Sequence, residues 1–142
     1  MPDETRLRDY QLSSQVGFNL RRANQRHVAI FQKHVDGLTP TQFAALARVN
    51  ELGPLSQNRL GRLTAMDSAT IKGVVERLLA KKLVALNPDA NDKRLRLVSL
   101  TPSGRDLIAA ATVQALEART ETLAPLSDDE AAQLEALIAK LV

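Results

Sequence analysis

The sequence predicts a mainly α-helical fold with one small β-hairpin, and three observations predict it. Apolar residues recur at spacings of three and four through most of the 142 residues, the period of amphipathic helices. The chain is 44% hydrophobic but only 3% aromatic, so Leu, Ala, Val and Ile must build the core, and Ala and Leu favour helices. One stretch departs from that period: Val84–Leu86 and Leu95–Leu100 are strand-like and flank Asn87-Pro88-Asp89-Ala90-Asn91-Asp92, which is loop chemistry.

Taken in order, residues 1 to about 8 are polar and are expected to fray. A helical pattern follows from Tyr10 to Val35, with Leu12, Val16, Leu20, Ala23, His27 or Val28, Phe31 and Val35 on its apolar line. A helix of ~25 residues would be ~38 Å long, more than a small domain can cover, so part of it must project or pack on a second subunit. Gly37 ends it. Thr39-Pro40-Thr41-Gln42 opens the next helix, with Thr39 as N-cap, Pro40 at the first helical position and Gln42 closing a capping box. Phe43, Leu46, Ala47, Val49 and Leu52 supply its buried face, and Gly53-Pro54 stops it. Leu55 allows one or two strand residues. Ser56 caps a short helix with Leu60 and Leu63 inward, Ala65–Met66 turn the chain, and a helix from Asp67 to Lys82 buries Ile71, Val74, Val75, Leu78 and Leu79.

After the hairpin, Thr101-Pro102 starts a helix running to about Leu123, with Leu107, Ile108, Ala111, Leu116 and Leu123 as expected buried positions. Ala124-Pro125 breaks it. Ser127-Asp128-Asp129-Glu130 is a second capping box, and Leu134, Leu137, Ile138 and Leu141 give the last helix an apolar side. The order helix, tight turn, helix, hairpin is that of a winged helix-turn-helix. We divide the chain into an N-terminal helix (1–38), a winged helix-turn-helix DNA-binding domain (39–101) and C-terminal helices (102–142); the resemblance described below implies that the two flanking parts are dimerisation elements.

Charge singles out the same central stretch. Leu55–Arg105 holds ten Lys/Arg against four acids, a local charge of +6 on a chain of +3, which leaves −3 elsewhere. The excess sits on the segment shaped to meet a polyanion. On the helix from Asp67, the side opposite the apolar line holds Ala69, Lys72, Gly73, Glu76 and Arg77, with Ser68 and Thr70 near the start. Side chains that are small at the N-terminal end let a helix backbone approach base edges in a major groove. Gly73 costs ~1 kcal/mol against Ala in a helix interior; it serves either groove approach or close packing on another helix. We take Ser68, Thr70, Lys72 and Arg77 as the DNA-contacting candidates of this recognition helix. Lys93, Arg94 and Arg96 can place cations in a minor groove from the hairpin tip, which Asp89 and Asp92 tie down. Arg59 and Arg62 are candidates for phosphate contact.

These features resemble the winged helix-turn-helix of the multiple-antibiotic-resistance regulator (MarR) family. Asp89, Asp92 and Arg94, then Leu100-Thr101 and Gly104, match its wing pattern, with Lys93 where many members carry Arg. The order of helices matches over nearly the whole chain. The resemblance implies an obligate two-fold dimer, formed by the first and last two helices, that reads a palindromic operator with half-sites ~34–36 Å apart. Asn19–His27, Ile30-Phe31, Leu38–Phe43 and Ser56–Asp67 are similar to the branch controlling aromatic-acid catabolism. That likeness implies repression relieved by an aromatic acid or its CoA thioester, hydroxycinnamoyl-CoA, benzoate and nicotinate types included.

The first helix carries Arg22 and Arg26 four apart, with His27 beside them and no acid in the run. Unpaired cations there can bind a carboxylate or CoA phosphates. Alternatively they form a solvated face or pair with the acidic segment from Asp106 onward, which sums to −5. His27 and His34 lack the further ligands a metal needs, and no cofactor motif is present. Without cysteine the chain has no disulfide and no thiolate metal site. Its longest uncharged apolar run, Leu107–Leu116, is far short of the ~18 residues of a membrane span, and its charged start does not suit a signal peptide, so the cytoplasm is expected. No nucleophile sits with a base, so an enzyme is not expected. The rival readings are a constitutive architectural DNA-binding protein and a winged-helix protein-interaction module.

Overall fold

The computed structural model describes residues 3–142. Seven α-helices and three short strands follow one another: α1 (Glu4–Asp9), a 3-10 turn (Leu12–Ser14), α2 (Val16–His34), α3 (Pro40–Leu52), β1 (Leu55–Ser56), α4 (Gln57–Leu63), α5 (Ser68–Ala80), β2 (Val84–Pro88), β3 (Arg96–Leu100), α6 (Pro102–Leu123) and α7 (Asp128–Ala139). The strands form one antiparallel sheet in the order β1-β3-β2, with Leu55 opposite Val98 and Val84 opposite Leu100.

The helix starts follow the expected chemistry. Thr39 accepts from the Gln42 amide, while the Gln42 side chain accepts from the Thr39 amide. Ser127 and Glu130 repeat that reciprocal arrangement at α7, and Ser56, Asp67 and Thr101 cap α4, α5 and α6. Each cap satisfies a donor that the helix leaves unpaired at its first turn. Leu46, Leu60, Ile71, Leu78, Val75, Val98 and Ile108 are fully buried where α3, α4, α5, the sheet and α6 meet. Phe31 reaches this core from α2 and meets Phe43 edge-on, ring centroids 5.4 Å apart.

Two turns use left-handed residues that are not glycine. Ala65 (φ 55°) follows α4, with Met66 N–H donating to the Gly61 carbonyl at 2.9 Å. Lys82 (φ 59°) follows α5, with Leu83 N–H donating to Leu78 at 3.0 Å and Lys82 N–H to Leu79 at 2.9 Å. These are Schellman closures. The first makes the tight turn between α4 and α5. The second sends the chain straight from α5 into β2.

The N-terminal third differs from expectation. The long helix begins at Val16 rather than Tyr10, because Gln11 and Gln15 hold extended backbone. Side chains compete for the backbone there: the Ser14 hydroxyl and Gln15 amide both donate to the Gln11 carbonyl, and the Asn19 amide donates to Ser13. The segment expected to fray instead forms α1, capped by Asp3; Met1 and Pro2, part of that expectation, lie outside the described residues.

Other corrections concern burial. Leu52 and Leu116 are 52% and 59% exposed, although both were expected inside. Gln42 and Ala45 take the inner line of α3, and α6 packs through Gly104, Ile108, Ala111 and Ala118. Small residues on that line let α6 lie along α2. At Gly104 a Cβ would collide with the Leu83 carbonyl, so only glycine lets α6 start against the turn between α5 and β2.

Candidate nucleic-acid interface and effector site

Helix α5 presents the proposed reading face. Ile71, Val74, Val75 and Leu78 bury one side, and Ser68, Ala69, Thr70, Lys72, Glu76 and Arg77 are all exposed on the other. Asp67 accepts from the Thr70 amide at 2.7 Å. That bond lowers the Asp67 pKa and keeps the carboxylate turned to its own helix. Gly73 does not pack on another helix. A Cβ there would meet only the Arg77 side chain outside the helix's own backbone, so no other helix among the described residues packs against Gly73.

Helix α4 supports α5 closely. A Cβ on Gly61 would lie 3.1 Å from Ile71 Cγ2 and 3.2 Å from the Met66 carbonyl oxygen, so the glycine sets how near the two helices come. Arg59 and Arg62 point outward from α4. Arg62 shares a shallow recess with Asn58, Asp67 and Ser68, which places it beside the start of α5.

The wing is the loop from Asp89 to Leu95 between β2 and β3. Asp89 Oδ1 accepts from the Asn91 amide at 2.8 Å. Asp92 Oδ1 accepts from both the backbone amide and Nε of Arg94, at 3.0 and 3.2 Å. The two aspartates therefore shape the loop as expected, and Arg94 is oriented while its side chain stays 91% exposed. Lys93 and Arg96 are exposed beside it. Among the described residues, no salt bridge engages Arg59, Arg62, Lys72, Arg77, Lys93 or Arg96. Two other cations of the basic stretch, though exposed, are bonded to main-chain oxygens: Lys81 Nζ donates to the Gly37 carbonyl, and Arg105 Nη1 to the Leu100 carbonyl.

The expected effector residues separate. Arg26 reaches α6, donating from Nη1 to the Thr122 carbonyl at 2.8 Å and from Nη2 to Glu121 at 3.1 Å. Both are last-turn carbonyls of α6, which ends on Ala124-Pro125 without a glycine; the Glu121 carbonyl also accepts from the Ala124 amide at 3.3 Å. His27 Nδ1 lies 2.8 Å from Thr122 Oγ1, and its ring is near Phe31. Arg22 stays on the open side of α2, where it and Arg21 each place the guanidinium carbon 5.8 Å from the centre of the Phe18 ring. Two turns on, Lys33 Nζ donates to Glu121 Oε1 at 2.7 Å and His34 Nε2 lies 2.5 Å from Oε2. Lys33 first and His34 second hold the Glu121 carboxyl below its ordinary pKa. The acidic C-terminal region thus pairs with α2, but through Lys33 and His34, while Arg26 uses main-chain oxygens.

Comparison with known proteins gives these surfaces a family. A MarR family model matches residues 36–95, which spans α3 through the wing. The HTH-type transcriptional repressor NicR of Pseudomonas putida is 41% identical over 135 residues, covering 94% of this chain and 85% of that one. The chain belongs to the MarR family. It is a MarR-type transcriptional regulator, and this family and its relatives are regulators rather than enzymes.

Solved structures agree with that membership. A "probable transcriptional regulator" from Pseudomonas aeruginosa is 52% identical with a TM-score of 0.91, over 93% of this chain and all of that one. BpsR of Bordetella bronchiseptica, whose DNA binding is regulated by 6-hydroxynicotinic acid, is 41% identical with a TM-score of 0.88, over 93% of this chain and 96% of BpsR. The mainly α fold with a small β wing is that of these relatives. Among the described residues no helix is long and apolar enough to cross a membrane.

Proposed function

We propose that this MarR-family chain is a homodimeric repressor that binds a palindromic operator on double-stranded DNA and is released by a small aromatic acid of the hydroxynicotinate type. The observation that carries the reading is the exposed face of α5, small at its N-terminal end and flanked by open cations from α4 and the wing. Ser68, Thr70, Lys72 and Arg77 read bases or nearby phosphates, Arg59 and Arg62 contact the backbone, and Lys93, Arg94 and Arg96 enter the minor groove.

The apolar surface left open supports the dimer. No residue of α7 is buried, although Leu134, Leu137 and Ile138 lie along it and Leu141 follows just beyond its end. Leu12, Val16, Leu20 and Leu116 are likewise exposed. Helices this short gain most of their stability from packing an apolar face, and a second copy supplies one.

The effector preference rests on the likeness to NicR and BpsR and on α2. Arg22 has a fork free to grip a carboxylate, and His27 and Arg26 stand at the joint with α6. Release then follows from binding the DNA-incompetent arrangement more tightly; equal affinity for both arrangements would shift nothing.

A mobility-shift titration on the chain's own upstream DNA tests this, with 6-hydroxynicotinate, nicotinate, a hydroxycinnamate and the matching CoA thioester as probes. Release by the hydroxynicotinate at lower concentration than by the thioester supports the reading. Release by the thioester alone moves the effector to the CoA class and gives Arg22 and Arg26 phosphates to bind. Binding that no probe relieves favours a constitutive protein.

A further inference from the structure

We propose that Lys81 is a positioning residue: its ammonium latches the C-terminal end of α5 to the α2–α3 junction and so sets the pose in which α5 meets DNA. Lys81 Nζ donates to the Gly37 carbonyl at 2.8 Å and to Gln42 Oε1 at 3.1 Å. Each acceptor sits at a defined point of the fold. Gly37 lies in the left-handed region (φ 77°) between the buried Val35 and Leu38. Gln42 is a buried polar side chain, 4% exposed, whose Oε1 also accepts from the Thr39 amide in the capping box.

The donor is equally well placed. Lys81 caps α5, its own amide donating to Arg77 at 3.0 Å, and the left-handed Lys82 closes the helix directly behind it. A cation at a helix C-terminus also suits the helix dipole. One ammonium therefore joins three elements, the end of α2, the cap of α3 and the end of α5. By composition Lys81 counts among the cations of the basic stretch, yet its charge is spent on main-chain and amide oxygens 44 and 39 residues away. The junction at the end of α2 is then connected to the far end of the reading helix, nine residues beyond Lys72.

This inference rests on the DNA-binding reading. Its test compares wild type, Lys81→Met and Lys81→Arg on two operators, one with native half-site spacing and one with a single inserted base pair. Kd is measured across a salt series at a temperature where circular dichroism shows all three folded. Lys81→Met keeps the apolar stem and loses the donors; Lys81→Arg keeps a donor that reaches the same oxygens.

We expect Lys81→Met to weaken native-operator binding by about fivefold with the salt slope unchanged, since a charge-assisted bond within the protein is lost and no phosphate contact is. The penalty for the inserted base pair shrinks, because α5 is held less firmly. Lys81→Arg recovers most of both. A salt slope lower by about one makes Lys81 a phosphate contact and overturns the latch. Wild-type affinity and spacing preference in Lys81→Met also overturn it. Absence of salt-dependent binding by the wild-type chain is a separate result: it removes the DNA-binding reading itself.

Discussion

The Arg77 guanidinium lies 3.8 Å from where a Cβ on Gly73 would sit, and outside the helix's own backbone nothing else comes within 4 Å. One turn of α5 therefore carries a glycine that no neighbour requires, covered only by a long flexible cation. Alanine fits that space and is the better helix former by ~1 kcal/mol. Gly73→Ala should accordingly raise thermal stability while weakening operator binding by about tenfold, a loss of close backbone approach to base edges. Melting curves and anisotropy titrations on one preparation decide it. A variant that is more stable and binds as before removes Gly73 from the interface.

The wing gives a prediction in which geometry and net charge disagree. Asp92 orients Arg94 through two hydrogen bonds to one oxygen. Removing an acid near DNA would tighten binding on charge alone. If Asp92 instead aims Arg94, Asp92→Ala should weaken binding, Arg94→Ala should weaken it and lower the salt slope by about one, and the double variant should lose less than the two losses combined. Tighter binding by Asp92→Ala would leave Arg94 an unguided surface cation.

The open apolar side of α7 predicts the assembly. Leu137 is 59% exposed in a helix with no buried residue. Leu137→Glu should convert the dimer to monomer in sedimentation and reduce operator affinity by about a hundredfold, because the second half-site no longer binds from the same molecule. An unchanged dimer would place the two-fold elsewhere.

Acid should loosen the joint between α2 and α6. The Glu121 carboxyl is held below its ordinary pKa, by Lys33 first and His34 second, and the Asp67 and Glu130 carboxyls are lowered by their capping bonds. A carboxyl lowered in the folded state contributes stability that is present above its unfolded pKa and is lost as pH falls through the folded value. Denaturation midpoints should therefore hold from pH 7 to about 5 and fall below that. Glu121→Gln should flatten that acid limb while lowering stability near neutrality. An unaltered pH profile in Glu121→Gln would show that the pairing contributes nothing in solution.

The left-handed residue behind α5 offers a gain in stability. A side chain in that region costs ~1–2 kcal/mol, which glycine avoids at the cost of greater freedom in the unfolded chain. Lys82→Gly should thus stabilise by about 0.5 kcal/mol, read from denaturant midpoints. At Gly104 the reverse holds. Gly104→Ala drives a methyl into the Leu83 carbonyl and should cost about 3 kcal/mol.

Local chemistry made most of α3 to α6 legible in advance. Thr39 with Gln42, Ser56, Asp67, Thr101 and Ser127 with Glu130 each mark a helix start within a few residues, and the period of Ile71, Val74, Val75 and Leu78 gives the inner face of α5. The start of α2 was not legible, because its apolar period continues unbroken through Gln11–Gln15 while side-chain bonds there end the helix. Leu52 and Leu116 misled for a related reason: periodicity says which residues share a face, not whether anything in the same chain covers that face.

By itself the sequence determined the order of elements, their caps, the inner side of α5 and the concentration of positive charge on the reading module, since all of these depend on neighbours within a few residues. Tertiary structure alone decided which cations remain free. Arg26 ends on carbonyls some 95 residues away, Lys81 on an oxygen 44 away and Lys33 on a carboxylate 88 away, while Lys72 and Arg77 stay open. A long side chain takes its partner from whatever packing brings within hydrogen-bond reach, and local sequence carries no record of that partner.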